Sequence, residues 1–223
     1  MNNGVIIRGR QETMGKSKSS HQWLKAHFDD EYVKRSQRDG YRSRAVYKLE
    51  EIHQKDRILR AGSVIVDLGA APGGWSQYAA RQLGSKGSIF ALDILPMDDL
   101  PGVEFIEGDF RESETLDILM EKLNGAAVDL VMSDMAPNIS GMEAVDQPRS
   151  MYLMELAAEF AADVLREGGD LLFKGFHGEG FDALIKSLRT QYRKVLIRKP
   201  KASRPRSREV YVLAKGRHKP NVS

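Results

Sequence analysis

The chain has 223 residues, of which 41% are hydrophobic and 29% are charged, with no cysteine and a formal net charge of +3. This length suits one well-buried domain, and the lack of cysteine excludes disulfides and thiolate metal sites. No apolar run reaches membrane-spanning length, the start lacks a signal-peptide core and the five histidines show no paired spacing, so we expect a soluble, cytoplasmic protein without a metal.

The first part of the chain is polar. Residues 1–20 lack apolar periodicity, and we expect a mobile basic segment there. Residues 21–217 are predicted to form one domain, followed by a tail at 218–223. Apolar residues recur at helical intervals over residues 23–32 and again over 43–58. This spacing predicts two helices that lead into the core.

The rest of the domain alternates strand and helix signals, and glycines mark the helix ends. This alternation predicts an α/β fold with a single doubly wound, mostly parallel seven-stranded sheet and helices on both faces. Gly84, Gly125 and Gly168-Gly169 are predicted to stop the first three of the four helices. The strands are predicted at residues 63–68, 88–93, 103–107, 128–133, 169–174, 194–198 and 209–214, and the helices at 74–83, 113–123, 148–166 and 180–190.

A glycine-rich turn follows the first of these strands. The sequence Val64-Ile-Val-Asp-Leu-Gly-Ala-Ala-Pro-Gly-Gly-Trp75 runs from an apolar strand through an acid and a turn into a helix. Ligands of open α/β sheets bind at the carboxyl ends of the strands, and glycine lets the backbone approach them closely. The turn lacks the G-x-G-x-x-G spacing of dinucleotide sites and contains Pro72. This pattern favours S-adenosylmethionine, which has no phosphates, over a dinucleotide.

Two acids end the next two predicted strands. Asp93 follows Gly73 by twenty residues, a position where an acid can accept hydrogen bonds from both ribose hydroxyls of an adenosine cofactor. Asp109 is placed to meet an adenine amino group. Each has a plain structural alternative: Asp93 as a turn former, and Asp109 as the N-cap of a helix over residues 111–123.

A further acid and a lysine lie at the ends of the fourth and fifth strands. Asp134 follows Ser133, and buried strand ends seldom carry an acid without a partner. Lys174 follows the apolar run Leu171-Leu172-Phe173, where a lysine is costly unless it is paired or functional. We therefore expect Asp134 and Lys174 to meet, although a lysine that extends its ammonium to solvent is the alternative.

The charge is distributed unevenly along the chain. Residues 1–60 hold 14 Lys and Arg against 8 Asp and Glu, and residues 192–223 hold 11 against 1. The stretch between them, residues 61–191, holds 9 against 22. Two basic ends that flank a cofactor domain favour a polyanionic substrate over a merely solvated surface.

Four residues and the glycine-rich turn resemble a known enzyme family. Lys48 in Val-Tyr-Lys-Leu, Asp134 in Ser-Asp-Met-Ala-Pro-Asn, Lys174 in Phe-Lys-Gly-Phe and Glu209 in Ser-Arg-Glu-Val-Tyr form the Lys-Asp-Lys-Glu set of 2′-O-ribose RNA methyltransferases. Residues 16–217 resemble the FtsJ/RrmJ-type enzymes, which methylate a uridine ribose in large-subunit ribosomal RNA. The resemblance implies a Rossmann-like class I methyltransferase fold, S-adenosylmethionine as cofactor and the assembled large subunit as partner. Nothing in the sequence demands more than a monomer.

The resemblance also implies roles for the four residues. Lys174 would contact the ribose hydroxyl, either as a proton acceptor or as a charged donor that orients the hydroxyl and stabilises its developing charge. The sequence leaves both versions open. Asp134 would position Lys174 near the transferred methyl group, and Lys48 and Glu209 would place the target ribose.

The cofactor residues follow from the same resemblance. Gly73 and Trp75 would hold the methionine end of the cofactor, Asp93 its ribose and Asp109 its adenine, with Asp134 beside the methyl group. A plain core position for Trp75 is the alternative.

Basic residues on both sides of the domain would bind the RNA. Tyr41 and Tyr47 lie among them and could stack on bases or simply pack between helices. The basic residues are Lys34, Arg35, Arg38, Arg42, Arg44, Arg198, Lys199, Lys201, Arg204, Arg206 and Arg208.

Three other functions remain open at this point. A nicotinamide dehydrogenase shares the predicted fold and an acid such as Asp93, but it would have no use for the Lys-Asp-Lys-Glu set. A non-catalytic RNA-binding ribosome-assembly factor is a second alternative, which the intact set disfavours. A third is methylation of transfer RNA or of a messenger cap, because basic patches select charge and carry no sequence information.

Overall fold

The structure is a computed structural model and describes residues 30–138, 140–204 and 207–219. The predicted mobile segment at 1–20, most of the predicted helix at 23–32 and most of the tail lie outside these residues. The helices are α1 (Glu31–Arg38), α2 (Val46–Asp56), α3 (Gly74–Leu83), α4 (Ser113–Leu123), α5 (Glu143–Val164) and α6 (Phe181–Gln191). The strands are β1 (Val64–Leu68), β2 (Ser88–Asp93), β3 (Val103–Glu107), β4 (Val128–Ser133), β5 (Leu165–Phe176), β6 (Tyr192–Arg198) and β7 (Glu209–Arg217).

The seven strands form one sheet in the order β3-β2-β1-β4-β5-β7-β6. Strands β1 to β5 pair in parallel, whereas β7 runs antiparallel to both β5 and β6. The order reverses between β1 and β4, and ligands of open α/β sheets bind at such a switch point. The predicted mostly parallel seven-stranded sheet is confirmed.

Helices cover both faces of the sheet. Along β1, Val66 and Leu68 belong to an apolar core that includes residues of α4, α5 and α6. Ile65 belongs to a second core with residues of α2 and α3. Successive side chains of a strand point to opposite faces, so the two cores lie on opposite sides of the sheet. Burial on both faces explains why the central strands are continuously apolar.

The structure corrects the predicted boundary between α5 and β5. The helix begins at Glu143 and ends at Val164, before the glycine pair that was predicted to stop it. Gly168 and Gly169 instead lie within β5, which also begins earlier than predicted. The pairing with β4 shifts register here, and Gly168 has a φ of +78°. The glycines therefore serve a bulge in the strand.

The helix α1 differs from the predicted pattern. It spans Glu31–Arg38, mostly beyond the predicted helix at 23–32, and the side chain of Asp30 caps it by accepting the N–H of Tyr32 at 3.0 Å. Only Val33 and Ser36 of this helix are buried. So little buried apolar surface gives a weak periodic signal. None of the helices in the described ranges is long and apolar enough to span a bilayer.

Candidate active site

Lys174 and Asp134 form an ion pair at the carboxyl edge of the sheet. The Nζ of Lys174 lies 3.0 Å from Oδ1 of Asp134, and the same ammonium donates to the backbone carbonyl of Asp134. The two side chains are only 9% and 19% exposed. The predicted partnership of these two residues is present in the structure, and the alternative of a lysine extended into solvent is wrong.

Tyr211 holds the same carboxylate from the neighbouring strand. The antiparallel register sets Tyr211 of β7 opposite Lys174 of β5. Its hydroxyl donates to Oδ1 of Asp134 at 2.7 Å. Burial by itself would raise the pKa of Asp134, but the charges of Lys174 and Lys48 and the hydrogen bond from Tyr211 hold that pKa below its usual value. Asp134 is therefore ionised at neutral pH.

Lys48 and Glu209 form a second ion pair beside the first. Lys48 projects from α2, and its Nζ lies 2.8 Å from Oε1 of Glu209 at the start of β7, with both side chains 13% exposed. The same Nζ lies 5.5 Å from the centre of the Tyr211 ring. Burial opposes ionisation of Glu209, yet the charge of Lys48 and its hydrogen bond keep the pKa of this carboxyl low. The structure thus brings all four residues of the set together around Tyr211.

A cavity opens beside the Lys48–Glu209 pair. Its volume is about 470 Å³. Arg44 and Lys48 in its wall are each paired with an acid, whereas Arg204 makes no ion pair within the described residues and suits a phosphate-bearing ligand. The lining residues are Arg44, Ala45, Lys48, Arg204, Ser207 and Glu209.

The glycine-rich turn leads directly into α3. Gly73 caps this helix with a φ of +100°, a conformation that favours glycine. A Cβ at this position would lie 2.7 Å from Sδ of Met97 and 2.9 Å from Cδ1 of Leu100. Position 73 therefore requires glycine. Because glycine has no Cβ, the loop between β2 and β3 can pack directly against the turn.

Trp75 is a core residue. Its side chain is 3% exposed, its indole N–H donates to the carbonyl of Ala45 at 2.9 Å, and its ring lies 5.7 Å from that of Tyr211. The indole fixes the start of α3 against α2 and β7. Because the side chain is buried and engaged, Trp75 could contact a ligand in the turn only through its backbone N–H.

Asp93 ends β2 and joins two neighbouring loops. One carboxylate oxygen accepts the N–H of Ala71 in the glycine-rich turn and the other accepts the N–H of Leu95, both at 2.9 Å. It is thus the turn former that the sequence offered as an alternative. Each carboxylate oxygen accepts more than one hydrogen bond, so acceptor capacity remains for ribose hydroxyls.

Asp109 follows β3 and contacts its neighbour Arg111. The backbone N–H and the guanidinium of Arg111 both donate to its carboxylate, and these hydrogen bonds lower the pKa of Asp109. The alternative that Asp109 caps the next helix is wrong, because α4 begins at Ser113 with Glu112 at the N-cap position.

Asp67 is a buried acid that the sequence analysis did not single out as a site residue. Its side chain lies in β1, is 1% exposed, and accepts the hydroxyl of Ser76 at 2.6 Å on one oxygen. Its other oxygen has no hydrogen-bond partner among the described residues. Burial raises the pKa of Asp67 to about 7, and the nearby charges of Asp134 and Asp93 add to the shift. An acid inside the apolar run Val-Ile-Val-Asp-Leu was the available signal.

We expect Asp67→Asn to remove a pH dependence of stability. A carboxyl with an unfolded pKa near 3.9 and a folded pKa of about 7 binds more protons in the folded state between these values, so its contribution to unfolding free energy falls as pH rises. The fall amounts to at most about 4 kcal/mol. Urea denaturation from pH 4 to 8 should show the variant gaining stability relative to the wild type across this window.

The matched control for this experiment is Asp163→Asn, at an exposed position of α5. Its stability should follow the wild-type pH profile. A constant stability difference between Asp67→Asn and the wild type from pH 4 to 8 would contradict the assignment.

Many of the basic residues predicted to bind RNA are engaged within the protein. The guanidinium of Arg198 makes a bidentate ion pair with Asp56 at 2.8 and 2.7 Å. Arg208 pairs with Glu143 at 2.8 Å. Arg35 and Arg38 pair with Asp39, Arg44 pairs with Asp30, and Lys199 donates to the carbonyls of Ser207 and Glu209. The side chains of Lys34, Lys201 and Arg204 make no ion pair within the described residues, and Arg206 lies outside them.

The two tyrosines among these basic residues differ in solvent exposure. Tyr47 is 1% exposed and donates its hydroxyl to Asp39 at 2.8 Å. The interpretation that it stacks on a base is therefore wrong. Tyr41 is partly exposed and lies edge-on to Tyr47 at 6.1 Å, with the guanidinium of Arg81 4.5 Å from its ring centre.

This chain is similar to a family of known enzymes. Residues 41–217 match the family model described as FtsJ-like methyltransferase. The chain belongs to this family. It is therefore a methyltransferase that acts with a methyl donor, and the resemblance stated from the sequence is confirmed.

Individual relatives support the membership over most of the chain. One from Chromohalobacter salexigens, named ribosomal RNA large subunit methyltransferase E, is 61% identical over 91% of this chain and 96% of its own length. Another of the same name from Hydrogenovibrio crunogenus is 58% identical over 92% and 99%. A solved structure of a ribosomal RNA methyltransferase from Plasmodium falciparum is 30% identical, with a TM-score of 0.72 over 79% of this chain and 98% of its own.

Proposed function

We propose that this protein transfers the methyl group of S-adenosylmethionine to the 2′-hydroxyl of a uridine ribose in large-subunit ribosomal RNA. The observation that carries the proposal is the cluster in which Lys174–Asp134 and Lys48–Glu209 meet around Tyr211. The cluster lies at the carboxyl ends of β4 and β5, beside the switch point of the sheet. The relatives named as large-subunit ribosomal RNA methyltransferases support the same acceptor.

The residues around the glycine-rich turn fit S-adenosylmethionine. This molecule carries positive charge on its sulfonium and its amino group, and the carboxylates of Asp93 and Asp134 both lie close enough to Asp67 to add to the rise in its pKa. One oxygen of Asp67 has no partner in the described part of the chain, and Asp93 has acceptor capacity for ribose hydroxyls. Gly73 and the backbone of Trp75 would hold the methionine end, and Asp109 would accept from the adenine amino group.

Under this proposal, Asp134 and Lys174 would orient the acceptor hydroxyl for methyl transfer. The cofactor supplies the electrophilic methyl group. Lys174 acts as a donor in both of its contacts, to the carboxylate of Asp134 and to the backbone carbonyl of the same residue. We therefore favour the version in which Lys174 donates to the ribose oxygen, fixes its direction and stabilises the charge that develops there, while the hydroxyl proton is released to solvent water as the new O–C bond forms.

The second ion pair and the adjacent cavity would receive the RNA. Lys48 and Glu209 line the cavity with a donor and an acceptor, which together suit the hydroxyls of a ribose. Arg204, which lies in its wall and makes no ion pair within the described residues, would attract a backbone phosphate. Because such contacts position RNA without reading its bases, the shape of the folded substrate must supply the choice of nucleotide.

A methyl-transfer assay tests this function. Purified protein and labelled S-adenosylmethionine are incubated with large subunits from cells lacking the enzyme, with free large-subunit ribosomal RNA and with transfer RNA. We expect label at one uridine of large-subunit RNA, in a 2′-O-methyl group that blocks alkaline cleavage. A second arm measures thermal shift, where S-adenosylmethionine and not NAD should raise Tm.

Other outcomes of the assay reject the proposal in defined ways. Label in transfer RNA alone would replace the proposed acceptor. Label in a base would reject ribose chemistry. RNA binding by the wild type without any methyl transfer would instead indicate a non-catalytic assembly factor.

A further inference from the structure

Arg42 contacts the two loops that border the crevice beside the glycine-rich turn. Its Nη1 donates to the carbonyl of Asp98 at 2.7 Å and to that of Pro72 at 3.3 Å, and its Nη2 donates to the carbonyl of Asp99 at 2.8 Å. Pro72 belongs to the glycine-rich turn, and Asp98 and Asp99 belong to the loop between β2 and β3. One guanidinium thus bridges both loops.

These loops are already in close contact around Gly73. The nearest atoms to a Cβ placed there are Sδ of Met97, Cδ1 of Leu100 and Nη1 of Arg42 at 3.0 Å. Asp93 anchors the base of both loops through the N–H groups of Ala71 and Leu95. Arg42 adds a second connection between the same two loops, through the carbonyls of Pro72, Asp98 and Asp99.

The backbone of Arg42 is itself fixed on α3. Its N–H donates to Oε1 of Gln77 at 3.0 Å, and Nε2 of Gln77 donates to the carbonyl of Gly40 at 2.8 Å. Three residues further along, the carbonyl of Ala45 accepts the indole N–H of Trp75. The side chain therefore extends from a rigid base, so little freedom is lost when it holds the loops.

We propose that Arg42 is a positioning residue of the cofactor crevice, which keeps the glycine-rich turn and the β2–β3 loop in the arrangement that binds S-adenosylmethionine. The proposal rests on the proposed function for the identity of that cofactor. It replaces the sequence-based interpretation of Arg42 as a phosphate-binding residue, because a phosphate would compete with three carbonyls for the same donors. Without the bridge, the two loops would separate more often and the binding-competent arrangement would be less populated.

Two substitutions distinguish these roles. Arg42→Lys keeps the positive charge that a phosphate needs, but an ammonium cannot reproduce the planar fork that spans two loops. Arg42→Ala removes both. If the competent arrangement falls to about a tenth of the population, the apparent Kd for the cofactor rises about tenfold. We therefore expect about a tenfold rise for Arg42→Ala and about a fivefold rise for Arg42→Lys.

The measurements are calorimetric Kd values for S-adenosylmethionine, together with kcat and KM for methyl transfer and the Kd for RNA at several salt concentrations. In Arg42→Lys, KM for S-adenosylmethionine should follow its Kd, while kcat at saturation and the RNA Kd stay within about twofold. The matched control is Arg189→Ala, at an exposed position of α6 outside the residues assigned to RNA or to the crevice, which should leave the cofactor Kd unchanged.

The result that overturns the inference is a wild-type cofactor Kd in both Arg42 variants. A loss confined to RNA affinity, with a salt dependence weaker by about one phosphate contact, would restore the phosphate-binding role. Binding of S-adenosylmethionine by the wild type tests the proposed function separately. If it binds no S-adenosylmethionine, that function fails and the inference fails with it, whereas binding by the wild type and by both variants alike overturns the inference alone.

Discussion

Replacing Lys174 with methionine should reduce kcat for methyl transfer by at least about 10²-fold, while the Kd for S-adenosylmethionine stays within about twofold. The expected size is that of a positioned group acting at the reacting oxygen. Methionine fills a similar volume without the ammonium, so the packing around β5 is preserved. Single-turnover transfer to large subunits and calorimetry of the cofactor measure the two quantities independently.

Lys186→Met is the control for this prediction, because Lys186 is exposed on α6, outside the set. Its kcat should equal that of the wild type. A Lys174→Met enzyme that keeps more than about a tenth of the wild-type kcat would show that the ammonium does not act on the acceptor hydroxyl.

Replacing Asp134 with asparagine should cost both activity and stability. The substitution removes the charge opposite Lys174, which is only 9% exposed, and leaves a buried ammonium without its counter-ion. Breaking one partner of such a pair typically costs about 3 kcal/mol. We expect a loss of about this size in urea denaturation, together with a fall in kcat of at least about 10²-fold because Lys174 loses its fixed direction.

A double substitution separates charge pairing from packing. Combining Asp134→Asn with Lys174→Met removes both charges, so the double variant should be more stable than Asp134→Asn alone. Equal stability of Asp134→Asn and the wild type at neutral pH would mean that the ion pair contributes nothing to the fold.

The order of strands and helices could be predicted because the central strands are short, apolar and separated by helical segments. Each such strand must be covered on both faces, which ties the local pattern to the whole sheet. The same reasoning failed at Gly168 and Gly169. Glycine pairs end helices and also permit bulges, and only the pairing partner of β5 decides between the two.

Some residues of the candidate site could be predicted from the ends of the strands, whereas others could not be predicted from the sequence. Asp134 and Lys174 stood out because charged residues at the ends of buried strands need partners. The contribution of Tyr211 depends on the antiparallel register of β7 against β5, which local sequence does not encode. Arg42 is one of many basic residues near the start, and its three carbonyl partners lie in loops that only the folded chain brings to it.

The placement of β7 constrains how the protein can be made. This strand lies between β5 and β6, although it is synthesised after both. It also carries Glu209 and Tyr211, which complete the cluster around Asp134. A nascent chain that has not yet released residues 209–217 from the ribosomal tunnel has a gap in its sheet and lacks two members of the cluster proposed as the active centre, so that cluster can form only after β7 has left the tunnel.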